Sequence, residues 1–177
     1  SEVPFDLDSF AQVIMMVENP CMIMVPTDSP YQDLNDFVAA AKANPGEISI
    51  GNGGAGGGTH LVALAFEHAV GAEYLHVPFG GGGPSVTAAV GGHIDSINVS
   101  APEGVANVEA GQLRILGIFG DERLEKFPDV PTAKEQGIDF ALAMWRGVAA
   151  QAGTSEEMVQ TLHDIFLACI EDPEFLE

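Results

Sequence analysis

Basic residues are nearly missing from this sequence: six Lys and Arg stand against 26 Asp and Glu, a formal net charge of −20. A chain of that sign repels nucleic acid phosphates and the anionic face of a membrane, which argues against both as partners. The scarcity of lysine in particular fits a protein kept soluble in concentrated salt, where counterions screen self-repulsion over a few ångströms. A halophilic source is the expectation. Two cysteines, Cys21 and Cys169, have neither metal-ligand nor redox spacing and read as separate buried thiols. No apolar run reaches the roughly 18 residues that span a bilayer. No basic stretch with a cleavage site opens the sequence, so a signal peptide is not part of it. Low-complexity runs are absent too, and with 46% hydrophobic residues the chain reads as globular α/β.

What is present is a series of strand-then-helix units. The apolar run CMIMVP at 21–26 has strand length, and Asp28-Ser29-Pro30 after it has the form of a helix start. Leu34, Phe37, Val38 and Ala41 then repeat with helical spacing up to the stop Asn44-Pro45-Gly46. ISIGN at 48–52 leads through a glycine-rich loop into an apolar helix ending near Val70. YLHVPF at 74–79 leads through Gly80-Gly81-Gly82-Gly83-Pro84 into a helix ending near Val90. IDSINVS at 94–100 leads through Pro102 into a helix ending near Ala110. Three such units in series imply a parallel sheet with right-handed crossovers. LRILGIF at 113–119 is a further buried strand, and Thr132-x-x-Glu135 and Thr154-x-x-Glu157 are capping-box patterns. Met158, Leu162, Phe166 and Ile170 mark a last helix that continues to the end without a cap. One lobe is expected at 27–112, with the strands 21–26 and 113–119 as hinge crossings. A second lobe is expected from 1–26 and 113–177.

Six of the eight residues from Gly51 to Gly58 are glycine, between a strand and a helix start. Such a loop lets backbone N–H groups converge on one oxygen, and the helix dipole adds a favourable partial charge of about +0.5. A carboxylate is held this way without Lys or Arg. The run 80–83 lies at the equivalent end of the neighbouring strand, so both loops are expected to face one crevice at the carboxyl edge of the sheet. Gly51-x-Gly53-x-x-Gly56 also matches a dinucleotide fingerprint, but the acid with the required spacing, Glu73, precedes its strand instead of closing it. A phosphate loop is argued against because Thr59 and His60, with no Lys, follow Gly58. His60, His68, His76 and His93 lack paired metal-ligand spacing, and no nucleophile elbow accompanies His60 and Asp95. His60 is therefore expected to order the loop by hydrogen bonding, Asp95 to brace a neighbouring loop, and Trp145 to lie in the core.

The segments GNGGAGGGTHL (51–61), HVPFGGGGPSVTAAVGGHID (76–95), EAGQLRILGI (109–118), FPDVPTAKEQG (127–137) and WRGVAAQAGT (145–154) follow in an order that covers almost the whole chain. Together they resemble the successive motifs of the substrate-binding proteins of tripartite tricarboxylate transporters, the Bug-like periplasmic solute receptors. The resemblance implies a type II periplasmic-binding-protein-like α/β fold with parallel or mixed sheets flanked by helices, one lobe complete and the other partial. It implies capture of a small carboxylate for the membrane components of a transporter, a periplasmic location, no cofactor and no reaction. The alternatives are a ligand-sensing module of a signalling system and a dinucleotide-binding enzyme.

Carried over position by position, the resemblance places the ligand at Gly54, Gly57, Gly58 and Thr59 in the first loop. In the second it falls on Phe79, Gly80 and Gly81, with Asn98 and Ser100 at the end of the next strand as further candidates. Gly57 and Gly58 stand where the family commonly has hydroxyl residues, and Gly80 where it commonly has Lys. Family members carry a further N-terminal segment, so an incomplete outer lobe, weak ligand binding and self-association through its open strand edges are implied.

If the acidity is an adaptation to salt, the thermal unfolding midpoint rises from dilute buffer to molar NaCl. A midpoint indifferent to salt over that range contradicts the expectation.

Overall fold

A computed structural model describes residues 5–173 and 175. They divide into two compact units, a larger one over Asn19–Met144 and a smaller one formed by the stretch up to Glu18 together with Trp145 onward. The elements in chain order are β1 (Phe10–Pro26), α1 (Leu34–Ala43), β2 (Ser49–Asn52), α2 (Gly58–Val70), β3 (Leu75–Pro78), α3 (Gly82–Val90), β4 (Ser96–Ser100), α4 (Ala101–Glu109), β5 (Leu113–Ile118), β6 (Ala143–Gln151) and α5 (Glu156–Ile170), with short 3-10 turns at Leu7–Ser9 and Lys134–Gln136.

The larger unit is an α/β sheet in the order β3-β2-β4-β1-β5. β2 pairs in parallel with β3 and β4, whereas β1 runs antiparallel to both β4 and β5. The sheet is therefore mixed. Residues 21–25 of β1 are fully buried, and their side chains alternate between its two faces as the pleat requires. Cys21, Ile23 and Val25 join Leu34 and Phe37 of α1 and Val62, Ala63 and Phe66 of α2 in one core. Met22 and Met24 join Val86 and Ala89 of α3, with Ile97, Val99 and Leu113, in the other. Phe66 anchors the first core, its ring 4.7 Å from Phe119 and 5.4 Å from Phe140. On the other face Gly104 of α4 packs so closely on the Met24 side chain that a Cβ there has no room.

This unit is wider than the stretch 27–112. Strand 21–26 is an inner member of the sheet, paired on both sides, and 113–118 pairs with it, so both belong to the sheet itself. The first helix also begins later than Pro30. Arg114 donates to the Ser29 carbonyl at 3.0 Å and the Gln32 side chain at 2.7 Å, and also to the Tyr31 carbonyl, holding 29–32 as a loop. Asp33 is then the N-cap, accepting from the Asp36 N–H at 2.8 Å. Thr132 and Glu135 do exchange capping bonds, of 2.9 and 3.2 Å, over a single 3-10 turn.

In the smaller unit, β6 pairs with β1. Ser155 rather than Thr154 caps α5, because the Thr154 hydroxyl donates to the Gln151 carbonyl at 2.7 Å. α5 ends at Ile170, short of the expected continuation. Val13 is the one buried apolar side chain among the described residues of this unit. Cys169 is exposed, unlike buried Cys21, and Trp145 is 66% exposed, so neither Cys169 nor Trp145 takes the core position expected of it. Leu7, Phe10, Val13, Met15, Trp145 and Val148 are among the residues that line an open, largely apolar groove of about 820 Å³. Among the described residues no helix is long and apolar enough to cross a membrane.

Candidate functional site

α2 packs on one face of the sheet and α3 on the other, although their parent strands β2 and β3 are neighbours. The chain therefore leaves the two strands in opposite directions, the arrangement in which α/β sheets place a ligand crevice between the loops at the carboxyl ends. The loops touch at their bases. A Cβ on Gly53 would lie 3.2 Å from the Thr59 hydroxyl, 3.5 Å from the Gly82 amide nitrogen and 3.6 Å from the Gly81 carbonyl carbon, so the first loop is in van der Waals contact with the start of α3. The Phe79 N–H donates to the Asn52 carbonyl at 3.0 Å and extends the contact between the two segments.

The first loop is held by its own side chains. The Thr59 hydroxyl accepts the Gly53 N–H at 2.9 Å, Asn52 Oδ1 accepts the Gly54 N–H at 3.2 Å, and the Gly54 carbonyl accepts the Gly57 N–H at 3.0 Å. Asn98, fully buried on β4, donates to the Thr59 carbonyl at 2.6 Å and fastens the start of α2 to the sheet. These bonds leave Gly54 at φ +140°, a conformation that glycine tolerates and larger residues avoid. Gly57 is the N-cap of α2 and offers no side-chain cap, and the Leu61 N–H is the first to reach an intrahelical acceptor. The N–H groups of Gly58, Thr59 and His60 are left to an outside acceptor. α3 begins in the same way: Gly81, at φ +150°, gives no side-chain cap, and the Ser85 N–H is the first to bond back, to Gly81.

Two helix starts without side-chain caps thus lie at the carboxyl ends of adjacent strands. No Lys or Arg occurs in either loop or in α2, α3 or α4. Four of the six basic side chains are engaged elsewhere: Arg114 on the 29–32 loop, Arg123 with Glu135, Lys126 with Glu109 and Lys134 with Asp121. The end of the Met144 side chain lies over Gly58, where a Cβ would have to displace it. Among the described residues no group of His, Cys, Asp or Glu is arranged to hold a metal ion.

Of the expected site residues, Gly54, Gly57, Gly58, Thr59, Phe79, Gly80 and Gly81 come together at the two loops. Asn98 and Ser100 do not join them at the surface. Asn98 is fully buried with its amide on Thr59, and Ser100, 3% exposed, is the N-cap of α4. Both serve the fold. Asp95 braces β2, its carboxylate accepting the Ser49 N–H at 2.8 Å. Sequence reasoning missed Asn52, whose carbonyl and side chain each hold a loop, and Glu103, which completes a capping box with Ser100. The pattern Ser100-x-x-Glu103 signals that box in the sequence.

The family model described as "Tripartite tricarboxylate transporter family receptor" matches residues 1–177. A Cupriavidus necator protein named "UPF0065 protein in gbd 5'region" is 36% identical over 155 residues, 88% of this chain and 47% of its own length. The chain spans about half the length of the curated relatives it matches. Among solved structures, a TctC solute binding protein from Polaromonas superposes with a TM-score of 0.84 at 34% identity, covering 98% of this chain and 60% of that one. MatC from Rhodopseudomonas palustris, solved with bound malate, gives a TM-score of 0.85 at 25% identity, covering 99% and 60%.

His60, in the first turn of α2, accepts the Gly56 N–H on Nδ1 at 3.0 Å, as expected of a loop-ordering residue. Only an unprotonated Nδ1 accepts. The ring meets His76 edge-on with centroids 5.1 Å apart, and His76 turns its Nε2 to Glu67 at 3.0 Å. Burial first, and the neighbouring His76 second, hold the His60 pKa below its ordinary value. The folded chain therefore takes up this proton at lower pH than the unfolded chain. The stability contributed is complete above about 6.5 and is lost as pH falls through the lowered pKa. An NMR titration is expected to give His60 a midpoint below that ordinary value, with the Gly56 amide shifting at the same midpoint, and His60→Phe to remove the Gly56 response. A midpoint at or above the ordinary value contradicts the assignment.

Proposed function

The chain belongs to the family of tripartite tricarboxylate transporter receptors, and from that premise we propose that it captures a small carboxylate on its two glycine loops. Its fold is the α/β fold of periplasmic binding proteins. In this reading it works outside the cytoplasmic membrane, delivers its ligand to the membrane components of a tripartite transporter, and catalyses nothing. The observation that carries the reading is the pair of bare helix starts at Gly58 and Gly82, on neighbouring strands and with Gly53 of the first loop packed beside the Gly82 amide. The binding residues are Gly54, Gly57, Gly58 and Thr59 with Phe79, Gly80 and Gly81. The malate bound to MatC supports a carboxylate as the ligand class.

Magnitudes limit what one set of loops achieves. A hydrogen bond to a charged group contributes about 1.5–3 kcal/mol, and a helix terminus up to ~2 kcal/mol in a favourable, partly buried site. Loss of translational and rotational freedom costs at least about 4 kcal/mol. Two or three such bonds then leave a Kd in the region of ~1 mM, which corresponds to about −4.1 kcal/mol. Tighter binding requires closure of a second lobe over the ligand. Self-association through the apolar groove of the smaller unit belongs to the same reading, supported by the exposure of Leu7, Phe10 and Trp145.

Thermal unfolding in molar salt with a panel of small carboxylates tests the proposal. A bound ligand at ten times its Kd stabilises the chain by about 1.4 kcal/mol, a rise of roughly 3–6 °C. The expected result is a rise with carboxylates and none with matched amides or alcohols. An equal response to the neutral analogues overturns the proposal, as does no response at tens of millimolar ligand.

A further inference from the structure

One charged side chain stands against the two-loop cradle, and it has the same sign as the ligand. Glu103 is the third residue of α4, which starts at the carboxyl end of β4 beside β2. Its Oε2 accepts both the N–H of Ser100, at 3.0 Å, and the Ser100 hydroxyl, at 2.8 Å, so the side chain is anchored. The rest of the carboxylate lies against Gly82, the first residue of α3: a Cβ at Gly82 would run into Oε1 and Cδ of Glu103. No donor among the described residues reaches Oε1, and Glu103 is exposed. Gly82 in turn adjoins Gly53. The carboxylate, the start of α3 and the first loop are therefore contiguous, and no Lys or Arg in α2, α3 or α4 offsets the charge.

From this arrangement, and resting on the carboxylate reading above, we propose that Glu103 determines ligand specificity. A ligand carboxylate on the N–H groups of 58–60 places its remaining atoms toward the start of α3. There Oε1 of Glu103 accepts a hydrogen bond from a hydroxyl or amino group on the ligand. A second carboxylate in the same place meets a like charge a few ångströms away, in a crevice whose own donors are backbone dipoles. The ligand class that fits is a hydroxy- or amino-monocarboxylate, and dicarboxylates are disfavoured. Glu103 is the residue that makes this distinction while also capping α4.

The two roles separate by substitution. A capping box accepts Gln in place of Glu, so Glu103→Gln removes the charge and keeps the cap, whereas Glu103→Ala removes both. Lactate and succinate are titrated into the unaltered chain and both variants, followed by amide NMR at the lowest salt in which the chain stays folded. There the screening length is longest, ~10 Å at 0.1 M. Glu103→Gln is expected to move the ratio of the two affinities toward succinate by about tenfold with an unchanged melting temperature. Glu103→Ala is expected to move the ratio similarly and to lower the melting temperature. If both ligands bind and Glu103→Gln leaves their ratio unchanged, the specificity role is overturned and the carboxylate reading stands. If neither these ligands nor any other carboxylate perturbs the unaltered chain or the variants, both inferences fail together.

Discussion

Backbone N–H groups that a helix cannot satisfy for itself govern the architecture around the crevice. Every α-helix leaves its first turn of donors unpaired, and most proteins answer with a capping side chain or water. Here α4 is answered from within by Ser100 and Glu103, while α2 and α3 begin at Gly57 and Gly81 with nothing to offer. The difference lies at one edge of one sheet, on three consecutive strand-to-helix connections. In the reading proposed above the two bare starts are a demand for an anion, while the third start carries its own.

That demand is met only if the bare loops approach each other and keep their shape. The approach is made at Gly53, which packs against the start of α3, and by the bond from the Phe79 N–H to the Asn52 carbonyl. The shape depends on a short set of internal bonds: Thr59 to Gly53, Asn52 to Gly54, His60 to Gly56 and Asn98 to Thr59. Behind them, the buried residues of β1 fill both cores and pair with β4 and β5. The polar loop therefore rests on a buried apolar support.

Local pattern made much of this legible. The apolar runs and glycine stops located β2, α2, β3, α3, β4 and α4, because each unit is short and its periodicity unambiguous. Both glycine loops and the role of His60 followed from the same local chemistry. What escaped was decided by contacts distant in sequence. The antiparallel setting of β1 is fixed by β4 and β5, more than 70 residues away. The late start of α1 is fixed by Arg114 reaching back to Ser29 and Tyr31. Asn98 and Ser100 read as ligand contacts because they end a strand at the right edge. Their burial beneath α2 and at the start of α4 is a property of packing that no spacing encodes.

The chain is strongly acidic, with a net charge of −20, and yet the ligand proposed for it is an anion. The two facts are compatible because the donors are dipoles, which fall off over short distances and need no opposite net charge. The central claim is that these dipoles, and no basic side chain, hold the ligand carboxylate. The most direct measurement is residue-resolved amide NMR during titration with formate, a carboxylate with nothing else to bind. The account predicts that the amides of Gly58, Thr59, His60, Gly82 and Gly83 shift together on a single saturating curve. Saturable shifts centred on Arg146 or Lys42, with those five amides unmoved, would contradict it.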